Sequence, residues 1–289
     1  MTCLLISNSE VDTKLRCDRL HYYQYALGLY PKKVSRANSI GNLGHHVLEH
    51  YYRTIMDGGS REDAFHAGMS QIMLAPEHEE LDVVRLVSQR FMQYHEHYQN
   101  ERFKVVGVEG AFSTELENGT TYPLRPDMLG FYEDGPWEGQ YVIIDHKFKY
   151  DFFSPDELSM HVQTFKYIWT LRKLGYNVKR SMLNQIRYRE NIKDIDKLFK
   201  REYLVPTDVQ MENIMREHMD VSSEIEACKQ QPVSWYAKNA PRRFNSKDCG
   251  FCYFRIPCRQ ELLGLDASAT LANMYAPEDP TTFYRKYGY

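Results

Sequence analysis

An apolar run in the middle of the chain ends in charge: Tyr141-Val142-Ile143-Ile144-Asp145-His146-Lys147. Side chains on a strand alternate between faces, so Ile143, Asp145 and Lys147 share one face and Val142, Ile144 and His146 the other. A carboxylate and an ammonium at the end of an apolar strand are costly to bury unless they are paired or hold a metal. A second acid stands upstream in Leu124-Arg125-Pro126-Asp127, and a glycine-bearing turn separates the two segments. Two carboxylates that hold one or two divalent ions, with a lysine to orient and acidify a water, suit metal-assisted hydrolysis of a phosphodiester. The same residues also suit an ordinary ion pair at a solvated strand end, and alone they do not separate the two readings.

Charge and composition narrow the classes. The net charge is −3, so there is no global basic signature for nucleic acid. The charge is uneven, however. Between Lys238 and Arg259 the basic residues Lys238, Arg242, Arg243, Lys247, Arg255 and Arg259 face Asp248 alone. A local basic face of this kind is compatible with DNA binding, and equally with solvated helix faces. There is no long apolar run and no secretory signal, so the protein is expected to be soluble, cytoplasmic and without a membrane partner. Of the cysteines Cys3, Cys17, Cys228, Cys249, Cys252 and Cys258, the last three crowd into a short stretch, which in an intracellular chain argues for metal rather than disulfides. His46 and His50 have the spacing of a zinc pair but lack the glutamate of a zinc-protease motif, and read as incidental.

The elements that must position these residues follow from periodicity and turn signals. Residues 7–30 read as short helices, with Cys17 on or between them and Pro31 as the stop. Residues 38–57 read as a helix with an apolar stripe of Ile40, Leu43, Val47, Leu48 and Tyr51. Its glycines, Gly41 and Gly44, are expensive in a helix unless something approaches the backbone closely. Residues 61–75 and 79–100 read as two more helices separated by Pro76. Residues 103–116, 122–132 and 141–148 read as three strands of an antiparallel meander, with Asn118-Gly119 as a hairpin turn and Glu109 expected on the surface rather than as an accessory ligand. A helix over 156–175 carries Lys166, Arg172 and Lys173 as candidate phosphate contacts. A strand over 178–189 then makes a crossover, hence a parallel pair and a mixed sheet. Residues 207–230 read as a helix, 235–244 as an irregular basic link, and 266–289 as a tail rich in Pro and Tyr.

Taken in order, these residues resemble the PD-(D/E)XK nuclease superfamily, in particular RecB-type nucleases that carry an iron–sulfur cluster, such as the CRISPR-associated RecB-like exonucleases and the AddB nuclease domain. Gly41-x-x-x-His45-x-x-Leu48-Glu49 resembles the helix bearing that family's metal-binding histidine. Pro126-Asp127 and Asp145-His146-Lys147 resemble its two acidic motifs, and Gln163-x-x-x-Tyr167 its motif on the following helix. Cys17 with Cys249-x-x-Cys252-x5-Cys258 resembles its split cluster site. The resemblance implies an α/β, restriction-endonuclease-like mixed sheet flanked by helices, with a helical insertion and a C-terminal cysteine cluster lobe. It implies one nuclease domain over residues 1–265, with the lobe formed by 7–30 and 240–262, a helical part over 38–100, a catalytic core over 101–200 and a tail over 266–289. Asp127, Asp145, His45 and the carbonyl of His146 would ligate Mg²⁺ or Mn²⁺. Lys147, Gln163 and Tyr167 would complete the catalytic set. Cys17, Cys249, Cys252 and Cys258 would hold a [4Fe-4S] cluster, with zinc the other occupant four cysteines accept; Cys3 and Cys228 remain ordinary thiols. The implied function is a DNA exonuclease on single-stranded or free ends in recombination, repair, or CRISPR or viral DNA processing, in a bacterial, archaeal or viral setting with a protein partner. A non-catalytic DNA-binding or assembly subunit, or an endonuclease of the same fold, are the alternatives.

Overall fold

The computed structural model describes residues 4–75 and 80–277. Cys3, Pro76 and the expected tail beyond residue 277 lie outside them. The described residues form two units, each assembled from distant segments. One gathers 4–34, 113–124 and 215–277, and the other 35–75, 80–112 and 125–214.

In chain order, the first unit opens with α1 (Asn8–Arg16), α2 (Asp18–His21), a π-helical turn over Tyr22–Ala26 and β1 (Leu29–Pro31). The Ser7 side chain accepts from the Glu10 amide and caps α1, and Cys17 falls at the break before α2. The second unit begins with α3 (Arg36–Met56), α4 (Arg61–Met73) and α5 (Leu81–His97), the first two capped by Ser35 and Ser60. There follow β2 (Lys104–Val108), β3 (Phe112–Glu115), β4 (Thr121–Leu124), β5 (Met128–Phe131), β6 (Tyr141–Lys149), α6 (Pro155–Ser159), α7 (Val162–Lys173), β7 (Val178–Arg187) and β8 (Phe199–Leu204). The main sheet has the order β2-β5-β6-β7-β8. Only β6 and β7 are parallel, joined through α6 and α7, and the other pairs are antiparallel. This is the expected mixed sheet with helices on it. The buried stripe of α3 packs with β2, β6 and β7 residues in one core that includes Val47, Val105, Ile144 and Ile186.

Three expectations need correction. Residues 103–116 are two strands, broken where Glu109 takes φ 52°, a left-handed conformation that ends a strand. Residues 122–132 break at Arg125-Pro126-Asp127, because Pro126 has no N–H for the ladder and restrains the residue before it. β3 and β4 therefore form a separate two-stranded sheet around the expected Asn118-Gly119 turn, in which Gly119 has φ 81°, and Thr121 of β4 also makes a parallel bridge with Leu5. Residues 156–175 are two helices rather than one. A capping box between Ser154 and Glu157 closes the short α6, and Met160 and His161 separate it from α7.

The first unit resumes at Met215 within α8 (Asp208–Lys229) and is completed by α9 (Val233–Asn239), α10 (Ser246–Gly250), α11 (Arg255–Leu262), α12 (Ser268–Met274) and β9 (Tyr275–Pro277), with β9 antiparallel to β1. Half of the expected irregular link at 235–244, residues 235–239, is thus helix α9. Tyr23 stacks on Phe254 at 4.9 Å, and Phe254 on Tyr275 at 4.5 Å, so an aromatic column joins the opening arm to the closing one. No helix among the described residues is long and apolar enough to cross a membrane.

The two glycines of α3 prove unlike each other. A Cβ on Gly44 would meet the Phe148 ring at 2.2 Å, whereas one on Gly41 would meet nothing within 4 Å. Phe148 of β6 lies against the α3 backbone beside His45, at 6.0 Å ring to ring. Gly44→Ala is expected to destabilise by about 1–3 kcal/mol through overpacking. Gly41→Ala should stabilise by up to about 1 kcal/mol through helix propensity. Urea melts of the two variants check this, and equal shifts would mean that Phe148 moves aside freely.

Candidate active site

The sheet brings its charged strand ends together in the second unit. On β6, Lys147 Nζ donates to Asp145 Oδ1 at 2.9 Å and lies 2.8 Å from Oδ2. Oδ2 is buried and accepts no hydrogen bond among the described residues. Lys147 Nζ also reaches Gln163 Oε1 at 3.5 Å, and Gln163 Nε2 donates to the Tyr167 hydroxyl at 2.9 Å. Gln163 and Tyr167 are one turn apart on α7, the helix of the crossover, and so face the same strand end.

Asp127 is held from three sides. The His146 amide donates to its Oδ2 at 2.6 Å, and His45 Nδ1 lies 3.4 Å from the same oxygen. The Glu109 amide donates to the Asp127 carbonyl at 3.0 Å, one residue beyond the β2–β5 ladder. One ligand atom each from His45, Glu109 and Asp127 lie within 4.8 Å of one another. Among the described residues this is the only such group of three or more. Two carboxylates and an imidazole form a donor set that fits a hard divalent ion.

Most of the expected site residues meet here, with one difference, at Glu109. The His146 ring, on the strand face opposite Asp145 and Lys147, points into the core. Its Nδ1 accepts from Asn184 Nδ2 at 2.7 Å, and the ring stacks on Tyr52 at 5.5 Å. Glu109, expected on the surface, stands in the cluster as the ion-pair partner of Arg125. The signal for it is the one that marks Asp145: an apolar strand, Lys104–Val108, that runs into a carboxylate. His46 and His50 stay apart and contact each other, at 4.7 Å. Of the expected phosphate contacts, Lys166 is buried, and Arg172 is occupied by the Val178 carbonyl at 2.6 Å and Asp208 at 2.8 Å.

A family model described as the PD-(D/E)XK nuclease superfamily matches residues 5–259. The chain belongs to this superfamily. Among solved structures, SSO0001 is 14% identical, with 87% of this chain and 84% of that chain covered and a TM-score of 0.40. LHK-Exo, an alkaline exonuclease from Laribacter hongkongensis, is 13% identical, with 65% and 91% covered and a TM-score of 0.31. The same protein in complex with dAMP is 12% identical, with 69% and 97% covered and a TM-score of 0.31. Likeness at this level carries no function over. No curated protein matches significantly.

In this nuclease the charges hold one another in place. Burial works against the Lys147 ammonium, but Asp145 and Asp127 more than offset it and raise its pKa. Burial likewise works against a charged His45 and is overcome by Asp127, whose own pKa is lowered against the effect of burial, chiefly by His45. Burial lowers His146 to about 3, so its ring stays neutral. Glu109 differs: burial and the Asp127 charge push it up to about 7, with Arg125 only partly opposing. The folded state therefore binds this proton more tightly than the unfolded chain, whose carboxyl has an ordinary pKa of 4.5. The resulting stability is complete below that value and is lost as pH rises through about 7. Without divalent ions, wild type should lose melting temperature relative to Glu109→Gln between about pH 5 and pH 8. A difference that does not change with pH would mean that Glu109 is ionised throughout.

The four expected cysteines meet in the first unit. Cys17, Cys249, Cys252 and Cys258 line one cavity of about 180 Å³. A single water-sized sphere needs only about 10–15 Å³. Arg16, Arg19, Arg242 and Arg243 line the same space, and Arg242 Nε donates to Cys258 Sγ at 3.3 Å. Burial raises the Cys252 and Cys258 thiols, with Arg242 opposing it at Cys258. Cys228 stands outside the cavity and takes a hydrogen bond from Lys14 at 3.6 Å.

Proposed function

We propose that the chain is a divalent-metal-dependent deoxyribonuclease that acts as an exonuclease on single-stranded ends. The observation that carries the reading is Lys147 fixed between Asp145 and Gln163, next to the cluster of His45, Glu109 and Asp127. Asp127, Asp145 and His45 would hold Mg²⁺ or Mn²⁺, with Glu109 as a further carboxylate and the His146 carbonyl as a backbone ligand. A bound ion supplies Lewis-acid charge to the scissile phosphate and its leaving oxygen. Lys147 orients the attacking water and balances negative charge as a P–O bond forms from the water and the ester P–O bond breaks. Gln163 and Tyr167 fix the lysine and meet the strand beside it. The single-strand and exonuclease preference, and a role in recombination, repair or CRISPR or viral DNA processing with a protein partner, rest on the RecB-type motif order.

The test is anaerobically purified protein incubated with end-labelled linear and circular DNA, single- and double-stranded, with and without Mn²⁺. Linear single strands should shorten from their ends only with metal. Asp145→Ala and Lys147→Ala should slow cleavage by at least about 100-fold, the loss of ~3 kcal/mol or more of transition-state stabilisation. His45→Ala should be slowed and partly rescued by raised Mn²⁺, while His46→Ala and His50→Ala cleave normally. A Lys147→Ala enzyme with wild-type rates would remove the assignment.

For the cysteine cavity the proposed occupant is a [4Fe-4S] cluster. A tetrahedral zinc site with Zn–S bonds of about 2.3 Å brings its sulfurs to about 3.8 Å of one another. No three of the four thiols here lie within 4.8 Å of one another. Serine at any one of the four should lower the melting temperature and bleach a brown protein. Stoichiometric zinc in a colourless, iron-free preparation would overturn the cluster.

A further inference from the structure

The rim of the cysteine cavity carries side chains that holding a metal centre does not explain. Phe251, just before Cys252, is 80% exposed, and Phe244, on the cavity wall, is 72% exposed. Phenylalanines this exposed lose hydrophobic stabilisation unless something covers them. Around them Arg243, Lys247, Arg255 and Arg259 are all exposed. None of the four has an acidic partner among the described residues. The nearby acids are already engaged: Glu261 with Arg19 and Arg242, and Asp248 with Arg16. The rim is therefore a surplus of cations interleaved with bare aromatic faces. A duplex offers phosphates but keeps its bases stacked inside. A single strand offers both phosphates and free base faces, the pairing that such a surface recognises.

We infer that this rim is a binding platform for single-stranded DNA, with Phe244 and Phe251 stacking on bases while Arg243, Lys247, Arg255 and Arg259 meet phosphates. The inference deepens the proposed function, since it rests on DNA being the substrate, but it makes its own claim about where a strand is held.

Binding is measured by fluorescence anisotropy on the full-length protein, anaerobically purified, with Ca²⁺ as the only added divalent ion so that cleavage does not intervene. The probes are labelled oligothymidylate of about 20 nucleotides, longer than a typical single-strand site, an abasic strand of the same length, and a duplex. Phe244→Ala with Phe251→Ala should weaken oligothymidylate binding at least about tenfold and leave the abasic strand nearly unaffected. Phe251→Tyr, which keeps a stacking face and guards against misfolding as the cause, should bind as wild type does. Arg243→Gln with Arg259→Gln should weaken both strands and reduce the salt slope of binding by about 1.4, two contacts at about 0.7 each. Equal losses on thymidylate and abasic strands, or none on either, would overturn the platform. So would phenylalanine variants that change only the protein's mass in solution, since the patch would then be a contact between protein copies. The two readings fail separately. A protein that cleaves with Mn²⁺ but whose variants bind normally keeps the nuclease and loses the platform. One that binds as expected but never cleaves keeps the platform and loses the proposed enzyme.

Discussion

Carboxylates gathered away from water repel one another and lose hydration, so each needs a compensating charge or donor. At the ends of β2 and β5 and within β6 three such groups come together, and the second unit is arranged to satisfy them. Asp145 has Lys147, Glu109 has Arg125, and Asp127 has the His146 amide and His45. The backbone donor matters most for precision, because it works only if β6 keeps its register. That register is pinned on the opposite face. His146 lies beside Asn184 on the parallel strand β7, and Asn184 donates both to His146 Nδ1 and to the Tyr94 hydroxyl. Arg201 donates to the Asn184 side-chain Oδ1 at 3.2 Å and closes on Glu101 at 2.7 Å. Alternation along one strand thus divides the work: Asp145 and Lys147 face the site while His146 between them anchors the strand.

The crossover explains the rest of the lysine's environment. A parallel pair needs a long connection, and a helix is the compact way to make it. The first turn of α7 therefore lies near the strand ends, where Gln163 accepts from Lys147. The motif on this helix and the motif on β6 are separate in sequence but joined by topology.

Much of this is legible in the sequence because it rests on period and punctuation. The shared face of Asp145 and Lys147, the parallel β6–β7 pair and the turn at Asn118-Gly119 follow from alternation, connection length and turn chemistry. What escapes is local or masked. The apolar strand before Glu109 signals the carboxylate, but not the left-handed backbone that carries it into the cluster, and such strain is held by its surroundings. β8 is hidden because Lys200, Arg201 and Glu202 interrupt its apolar pattern, Arg201 being drawn inward by Glu101. Of the α3 glycines, only the packing of Phe148 tells which one the fold requires.

The cysteine unit shows where a metal is and is not needed to close the chain. Linking Cys17 to Cys258 through a metal would remove the entropy of a very long loop, but that entropy grows only logarithmically with loop length and is removed once. The column Tyr23–Phe254–Tyr275 and the β1–β9 pair already bring the two arms together. A centre among the thiols therefore adds mainly local free energy, the bonding of sulfurs otherwise left around a cavity. Charge does not say which centre it is. Four thiolates leave the same net negative charge around Zn²⁺ as around a [4Fe-4S]²⁺ core, and the arginines of the cavity wall serve either. The discriminating quantity is the distance between sulfurs, about 3.8 Å around a single zinc and wider where each sulfur bonds a separate iron.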